Sequence, residues 1–193
     1  MRKIIVSEFV SLDGMMSDPG DTMKWVTDNF SAKEGAYESD LYDRIGTLML
    51  GRTTYDIWAA YWPNALTKPE PKEEVEMARK IDRASKILVS SKGGLSYWGS
   101  GKTTQLKEIN RDEILELKKQ PGKDIAVIGS AAIVQQLTAL DLVDEFHLVF
   151  HPLIMGKGKP LFKGDGAPLQ LELAETRDFG NGVVLHKYQR AGS

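Results

Sequence analysis

Thr47-Leu48-Met49-Leu50-Gly51-Arg52-Thr53-Thr54-Tyr55 is a short apolar run that meets a glycine and then a stretch, 54–61, able to wind as an aromatic-rich helix. The same order of strand, glycine turn and helix returns at 125–140. There Ile125 to Ile128 is followed by Gly129-Ser130, and Ile133, Val134, Leu137 and Leu140 then recur on one helical face. Upstream, 4–12 is β-branched and aromatic and stops at Asp13-Gly14, which reads as a strand delivering a loop. Between the first two strands, Ser31 and Glu34 have the spacing of a capping box. Tyr37, Leu41 and Ile45 continue as a helical stripe that ends near Gly46.

Outward from these units, 63–71 reads as a surface loop, 73–83 as a solvated helix and 86–90 as a strand closed by Gly93-Gly94. A brief strand is expected at 103–107. Asn110 and Glu113 can cap a helix through Lys119, and 145–150 forms a strand ending at His151-Pro152. The last third is β-rich: 169–176 and 183–189 flank Gly180-Asn181-Gly182, a hairpin signal. Strands alternating with helices and finished by an antiparallel hairpin imply one α/β domain over residues 1–193, with a mixed β-sheet and helices on both faces.

The 193 residues are 41% hydrophobic and 27% charged, a profile that supports one sizeable core. A formal charge of −2 argues against a nucleic-acid partner, since phosphate neutralisation needs surplus Lys and Arg. With no cysteine, thiolate nucleophiles, disulfides and Cys-ligated metals are excluded, so redox chemistry would have to come from a cofactor. Glu8 arrives too early for a signal-peptide core and no run approaches the ~18 apolar residues of a membrane span, so a cytoplasmic protein without membrane contact is expected.

Ligands of open α/β sheets bind beyond the carboxyl ends of strands. Four strand ends here are small or polar: Ser11-Leu12-Asp13-Gly14, Gly51-Arg52-Thr53-Thr54, Ser90-Ser91-Lys92 and Gly129-Ser130-Ala131-Ala132. A glycine turn into a helix offers free N–H groups to phosphate, and Arg52 has the fork geometry to hold a ribose 2′-phosphate, favouring NADPH over NADH. The alternative is an ordinary turn with a surface arginine. Asp13 is either a group that orients an amine or passes a proton through water, or the Asx turn closing the first strand. Trp25 is a wall of the substrate pocket or simply a core aromatic.

Ser96 to Thr103 imitates a phosphate-binding P-loop, with Leu142-Val143-Asp144-Glu145 as its metal partner, but Ser96 replaces the first glycine and the following residues read as strand. His147, His151 and His186 lack a helical H-x-x-x-H partner, so no metal site is expected; His151, at a strand end, is the one placed to touch ligand.

S-L-D-G at 11–14, G-R-T-T-Y at 51–55, S-S at 90–91, I-G-S-A-A at 128–132, L-V-D-E at 142–145 and H-P-L-I-M-G-K-G-K-P-L-F at 151–162 together resemble the C-terminal reductase domain of riboflavin-biosynthesis deaminase-reductases, and most of all its stand-alone members. The resemblance spans nearly the whole chain. It implies a dihydrofolate-reductase-like fold and NADPH as cofactor. Gly51, Arg52, Thr53, Thr54, Ser90 and Ser91 would hold its adenosine and phosphate end, and Gly129, Ser130, Ala131 and Ala132 would lie at the pyrophosphate. Leu12, Gly14 and Gly156 would lie by the nicotinamide, and Asp13 would be the catalytic residue. In this fold a cis peptide often follows the glycine; Ser130 in place of a second glycine argues against one here. The riboflavin-pathway enzymes carry a glutamate where this chain has Ile128, and usually a deaminase domain that these residues do not contain. Neither that pathway's substrate nor folate is therefore expected. The reaction implied is hydride transfer to a small C=N or C=O substrate; the alternative is a non-catalytic nucleotide-binding or regulatory module of the same fold. The β-rich C-terminal edge suggests a homodimer.

Overall fold

A computed structural model describes residues 1–67, 71–164 and 166–191. Its chain order is β1 (Ile4–Ser11), β2 (Met15–Ser17), α1 (Lys24–Thr27), α2 (Ala32–Arg44), β3 (Ile45–Gly51), α3 (Arg52–Ala65), α4 (Lys72–Arg83), β4 (Ser85–Val89), β5 (Thr103–Leu106), α5 (Arg111–Lys119), β6 (Asp124–Val127), α6 (Ala131–Ala139), β7 (Glu145–His151), β8 (Lys159–Pro160), β9 (Leu171–Asp178) and β10 (Val184–Arg190). Eight strands form one sheet in the order β5-β4-β3-β6-β1-β7-β10-β9. The first six are parallel to their neighbours, and β10 and β9 complete the sheet as an antiparallel hairpin. No helix among the described residues is long and apolar enough to cross a membrane.

Alternation along β1 divides the core. Ile4, Val6 and Val10 face Ile114 of α5 and Ile133, Val134 and Leu137 of α6, while Ile5 faces Tyr37 and Leu41 of α2 and Tyr55 of α3. Both faces are thus covered, as a parallel sheet requires. Two helix starts are closed by their own side chains. Ser31 Oγ accepts from Glu34 N–H while Glu34 Oε2 accepts from Ser31 N–H, and Asn110 Oδ1 accepts from the N–H groups of Asp112 and Glu113. Such caps contribute about 1 kcal/mol each.

Several boundaries differ from the sequence reading. Ile45 continues the stripe of Tyr37 and Leu41 and is buried, yet it is extended (φ −87, ψ 135) and begins β3, because a strand entering directly from a helix buries the same apolar residue. Helix α3 runs to Ala65 with Pro63 inside its last turn, where the bond it forfeits is the single one to the Ala59 carbonyl four residues back; of the loop expected at 63–71, residues 68–70 lie outside the described ones. The P-loop imitation is not a phosphate loop. Thr103 starts edge strand β5 rather than a helix, and residues 95–101 fold over buried Lys86, whose Nζ donates to Asp82 O at 2.6 Å and sits 4.5 Å from the Trp98 ring. Short elements without periodicity, α1 and the β2–β8 pair, were not legible from pattern.

Candidate functional site

Because β1, β3, β4, β6 and β7 run the same way, the four loops singled out in the sequence all leave at the carboxyl ends of these strands, joined there by the loop after β7. The starts of α3 and α6 touch. Gly51 N–H donates to Gly129 O at 3.1 Å. A Cβ on Gly51 would lie 2.6 Å from Ser130 Oγ, and one on Gly129, whose φ is +59, would lie 2.5 Å from Thr54 Oγ1. Both positions therefore have to be glycine for the two turns to close on each other. The Gly129–Ser130 peptide is cis, contrary to the expectation drawn from Ser130.

Neither α3 nor α6 has a side-chain cap, in contrast with α2 and α5; α1 and α4 are also uncapped. At α6 the Ser130 carbonyl accepts from Ile133 and Val134, and the preceding amides, those of Ala131 and Ala132, lie in the first turn beside the start of α3. Two helix N-termini thus bring partial positive charge to one place.

Arg52 extends from the first turn of α3 to the loop after β4. Its Nε faces Ser90 Oγ at 3.5 Å, Nη1 donates to Gly94 O at 3.1 Å, and Nη2 donates to the carbonyls of Lys92 (2.9 Å) and Gly93 (3.1 Å). Gln105 Nε2 holds the same loop through Ser90 O and Lys92 O, both at 2.7 Å. Arg52 therefore shapes the 90–94 loop, and Ser91 and Thr53 are left exposed beside it.

On the other flank, Asp13 clasps two loops. Its carboxylate accepts from Ser11 Oγ (2.6 Å), Met155 N–H (3.0 Å) and Gly156 N–H (2.8 Å). These donors, the Ser11 hydroxyl foremost, lower its pKa to about 2, so Asp13 is an anion and not a proton source near neutral pH. Gly14 takes a positive φ of +79, and β2 then pairs with β8, pinning the loop over which Leu12 stands exposed. Gly156 lies in this clasp at φ +72.

Between the two flanks lies a residue the sequence reading passed over. Pairing of β1 with β6 stops at Val6 and Val127, whereas pairing with β7 continues to Ser11 and His151. Glu8 stands where β6 has turned away, 6% exposed, and its Oε1 accepts from Gly129 N–H at 2.6 Å. Burial pushes its pKa up to about 8, against the opposing pull of the Gly129 bond. Glu38 of α2 is raised to about 7, first by burial and then by Glu34. The available signal for Glu8 was a lone carboxylate inside the apolar run Ile-Ile-Val-Ser-Glu-Phe-Val. Of the histidines, His147 has both nitrogens engaged, by Tyr37 Oη (2.8 Å) and Glu145 Oε2 (3.0 Å), while buried His151 engages neither.

The family model of the RibD C-terminal domain matches residues 2–185. The uncharacterised protein YyaP of Bacillus subtilis (strain 168) is 30% identical over 191 residues, covering 99% of this chain and 96% of its own. Among solved structures, a putative riboflavin biosynthesis protein from Shewanella sp. PV-4 superposes with a TM-score of 0.70 at 21% identity, covering 97% of this chain and 98% of that one. Dihydrofolate reductase from Enterococcus faecalis, complexed with NADP(H), superposes with a TM-score of 0.61 at 12% identity, covering 98% and 96%. The fold is thus dihydrofolate-reductase-like, as the motifs implied, and the chain belongs to the RibD C-terminal domain family.

Proposed function

We propose that this chain works as one domain, an NADPH-dependent reductase that delivers a hydride to a small C=N or C=O substrate. The observation that carries the reading is the contact between Gly51 and Gly129–Ser130, which sets two uncapped helix N-termini side by side. Such a pair suits a diphosphate, whose charge would meet N–H groups from both helices. NADPH would supply the hydride. Around it, Gly51, Thr53 and Thr54 would receive the adenosine-side phosphate and Ala131 and Ala132 the pyrophosphate. Ser90 and Ser91 would flank the adenosine. Arg52, presently bonded to the carbonyls of residues 92–94, would turn part of its fork to a 2′-phosphate. Asp13 would hold Leu12, Gly14 and Gly156 as the wall beside the reacting carbon, and as an anion it is suited to orient an amine. Water exclusion and orientation are the chain's own contribution.

A binding module without turnover is the second reading, favoured by Ile128 standing where the riboflavin-pathway enzymes carry an acidic residue. Following NADPH absorbance with purified protein and a panel of aldehydes and imines separates the two: oxidation supports the reductase, and binding without any oxidation supports the module.

A homodimer would form through edge strand β9, whose outer side no strand among the described residues covers. Antiparallel self-pairing centred between Ala174 and Glu175 would place Glu172 opposite Arg177 of a second copy. Light scattering at twice the monomer mass supports this; a monomer ends it. A small-molecule substrate and a cytoplasmic setting complete the proposal.

A further inference from the structure

Glu8 stands on β1 beside the end of β6, and its two carboxyl oxygens have different surroundings. Oε1 accepts from Gly129 N–H at 2.6 Å. Oε2 has no hydrogen-bond partner among the described residues, yet it is not one of the unpartnered polar atoms sealed from solvent. The residue is only 6% exposed, so Oε2 is the polar part that reaches open space. Gly129 thereby fixes where a proton on this carboxyl sits. A neutral carboxyl has one O–H donor and one carbonyl acceptor, and the carbonyl oxygen is the one that meets an N–H. The O–H is then at Oε2, and the bond that anchors Glu8 turns its proton outward.

The surroundings keep that proton in place near neutrality. Glu8 is in register with Leu148 of β7, and the titratable groups that face it are Glu38 and Tyr42 of α2. Burial holds Tyr42 neutral, and no Lys or Arg among the described residues forms an ion pair with Glu8. A buried carboxyl with an acidic neighbour and no cation keeps its proton, and Glu8 is raised to about 8. Asp13 is the opposite case, held ionised at about 2 by its donors. Two carboxyls of one site, pushed apart in this way by their environments, suit an acid and an anionic partner.

The place fits the same division of roles. Gly129 belongs to the turn that closes on Gly51, so Glu8 stands between that contact and the loop after β1, where the reductase reading puts the reacting end of the coenzyme. We propose that Glu8 is the catalytic acid of this site, its Oε2–H protonating the nitrogen or oxygen of the substrate double bond as a hydride reaches the carbon. The assignment rests on the reductase reading and names the proton source it lacks. NADPH, when bound, would supply the hydride with its electron pair and become NADP+. In the substrate, the π pair of the C=N or C=O bond moves to the heteroatom, which takes the proton as the Oε2–H bond breaks. Glu8 is left as a carboxylate, still held by Gly129 N–H, and recovers its proton from water.

The test has one arm without coenzyme and one with it. Without coenzyme, protein carrying 13C at its glutamate carboxyls should show a signal that titrates near pH 8 and is missing from Glu8→Gln. No such signal, or one titrating at the ordinary 4.5, would overturn the assignment. With NADPH at pH 7, benzaldehyde needs a hydride and a proton, whereas 2-methyl-3,4-dihydroisoquinolinium, whose nitrogen has no free electron pair, needs the hydride alone. Glu8→Gln keeps an acceptor for Gly129 and should lower kcat for benzaldehyde about 100-fold more than kcat for the iminium. In the wild type, kcat for benzaldehyde should also fall as pH rises through about 8, while kcat for the iminium does not follow it. Equal losses with the two probes, no loss with either, or reduction of the iminium without benzaldehyde by the wild type would each remove the acid and leave the reductase. A wild type that oxidises NADPH with neither probe removes the reductase reading for these substrates, and the catalytic role with it.

Discussion

Glu8 and Gly129 meet across the line where β1 and β6 stop pairing, the buried carboxyl accepting from the glycine N–H at 2.6 Å. Its pKa, about 8 against an ordinary 4.5, makes stability pH-dependent, because burial opposes the charged form more strongly than the Gly129 bond favours it. The folded state holds this proton more tightly than the unfolded state, so the stabilisation is complete below about 4.5 and is lost as pH rises through about 8. Glu8→Gln keeps the acceptor and cannot ionise. Thermal melts at pH 6 and pH 9 should show the wild type losing more stability than the variant on going alkaline; equal losses would mean that Glu8 is already ionised at pH 6.

Gly51 has an ordinary φ of −75, so its requirement is purely one of space. Gly51→Ala should push Ser130 away and separate the two helix starts, costing about 1–3 kcal/mol in urea unfolding and weakening NADPH at least tenfold. Adding Ser130→Gly removes the atoms in conflict and should recover most of both. A double variant no better than the single would show that the spacing of the turns is not what binds.

Arg52 already serves the loop carbonyls and Asp56, 3.5 Å from its Nη1, and a 2′-phosphate would compete with both. Arg52→Ala should weaken NADPH by at least tenfold more than NADH in parallel calorimetric titrations. Equal losses would assign Arg52 to shaping the 90–94 loop alone.

Asp13 holds two amides that belong to a different part of the chain, Met155 and Gly156. Asp13→Asn should speed hydrogen exchange at these two amides and lower turnover while leaving coenzyme affinity within a few-fold. Unchanged exchange would show that the clasp is not what orders the loop.

How far the sequence could be read follows from which forces were local. Strand, glycine turn and helix at 47–61 and 125–140 were legible because periodicity and glycine chemistry act within a few residues, and the Ser31–Glu34 capping box was legible for the same reason. The convergence of Gly51 on Gly129 could only be expected from the order of motifs, since 78 positions separate them and the parallel sheet brings them together. Glu8 was passed over because nothing near it in sequence shows that β6 ends at Val127 and leaves a gap. That Glu34 Oε1, both ring nitrogens of His151 and Trp25 Nε1 are buried without partners among the described residues was out of reach for a similar reason: three elements from both ends of the chain have to pack before that lack exists. Boundaries such as Ile45 and Pro63 moved because burial and helix continuation overrode local signals.

The central claim is that the starts of α3 and α6 grip one dinucleotide, and amide chemical shifts read it directly. On titration with NADPH, the backbone N–H signals of Thr53, Thr54, Ala131 and Ala132 should move together along a single saturating curve. Silence at all four with a saturating excess of coenzyme, or movement of one helix start without the other, would contradict it.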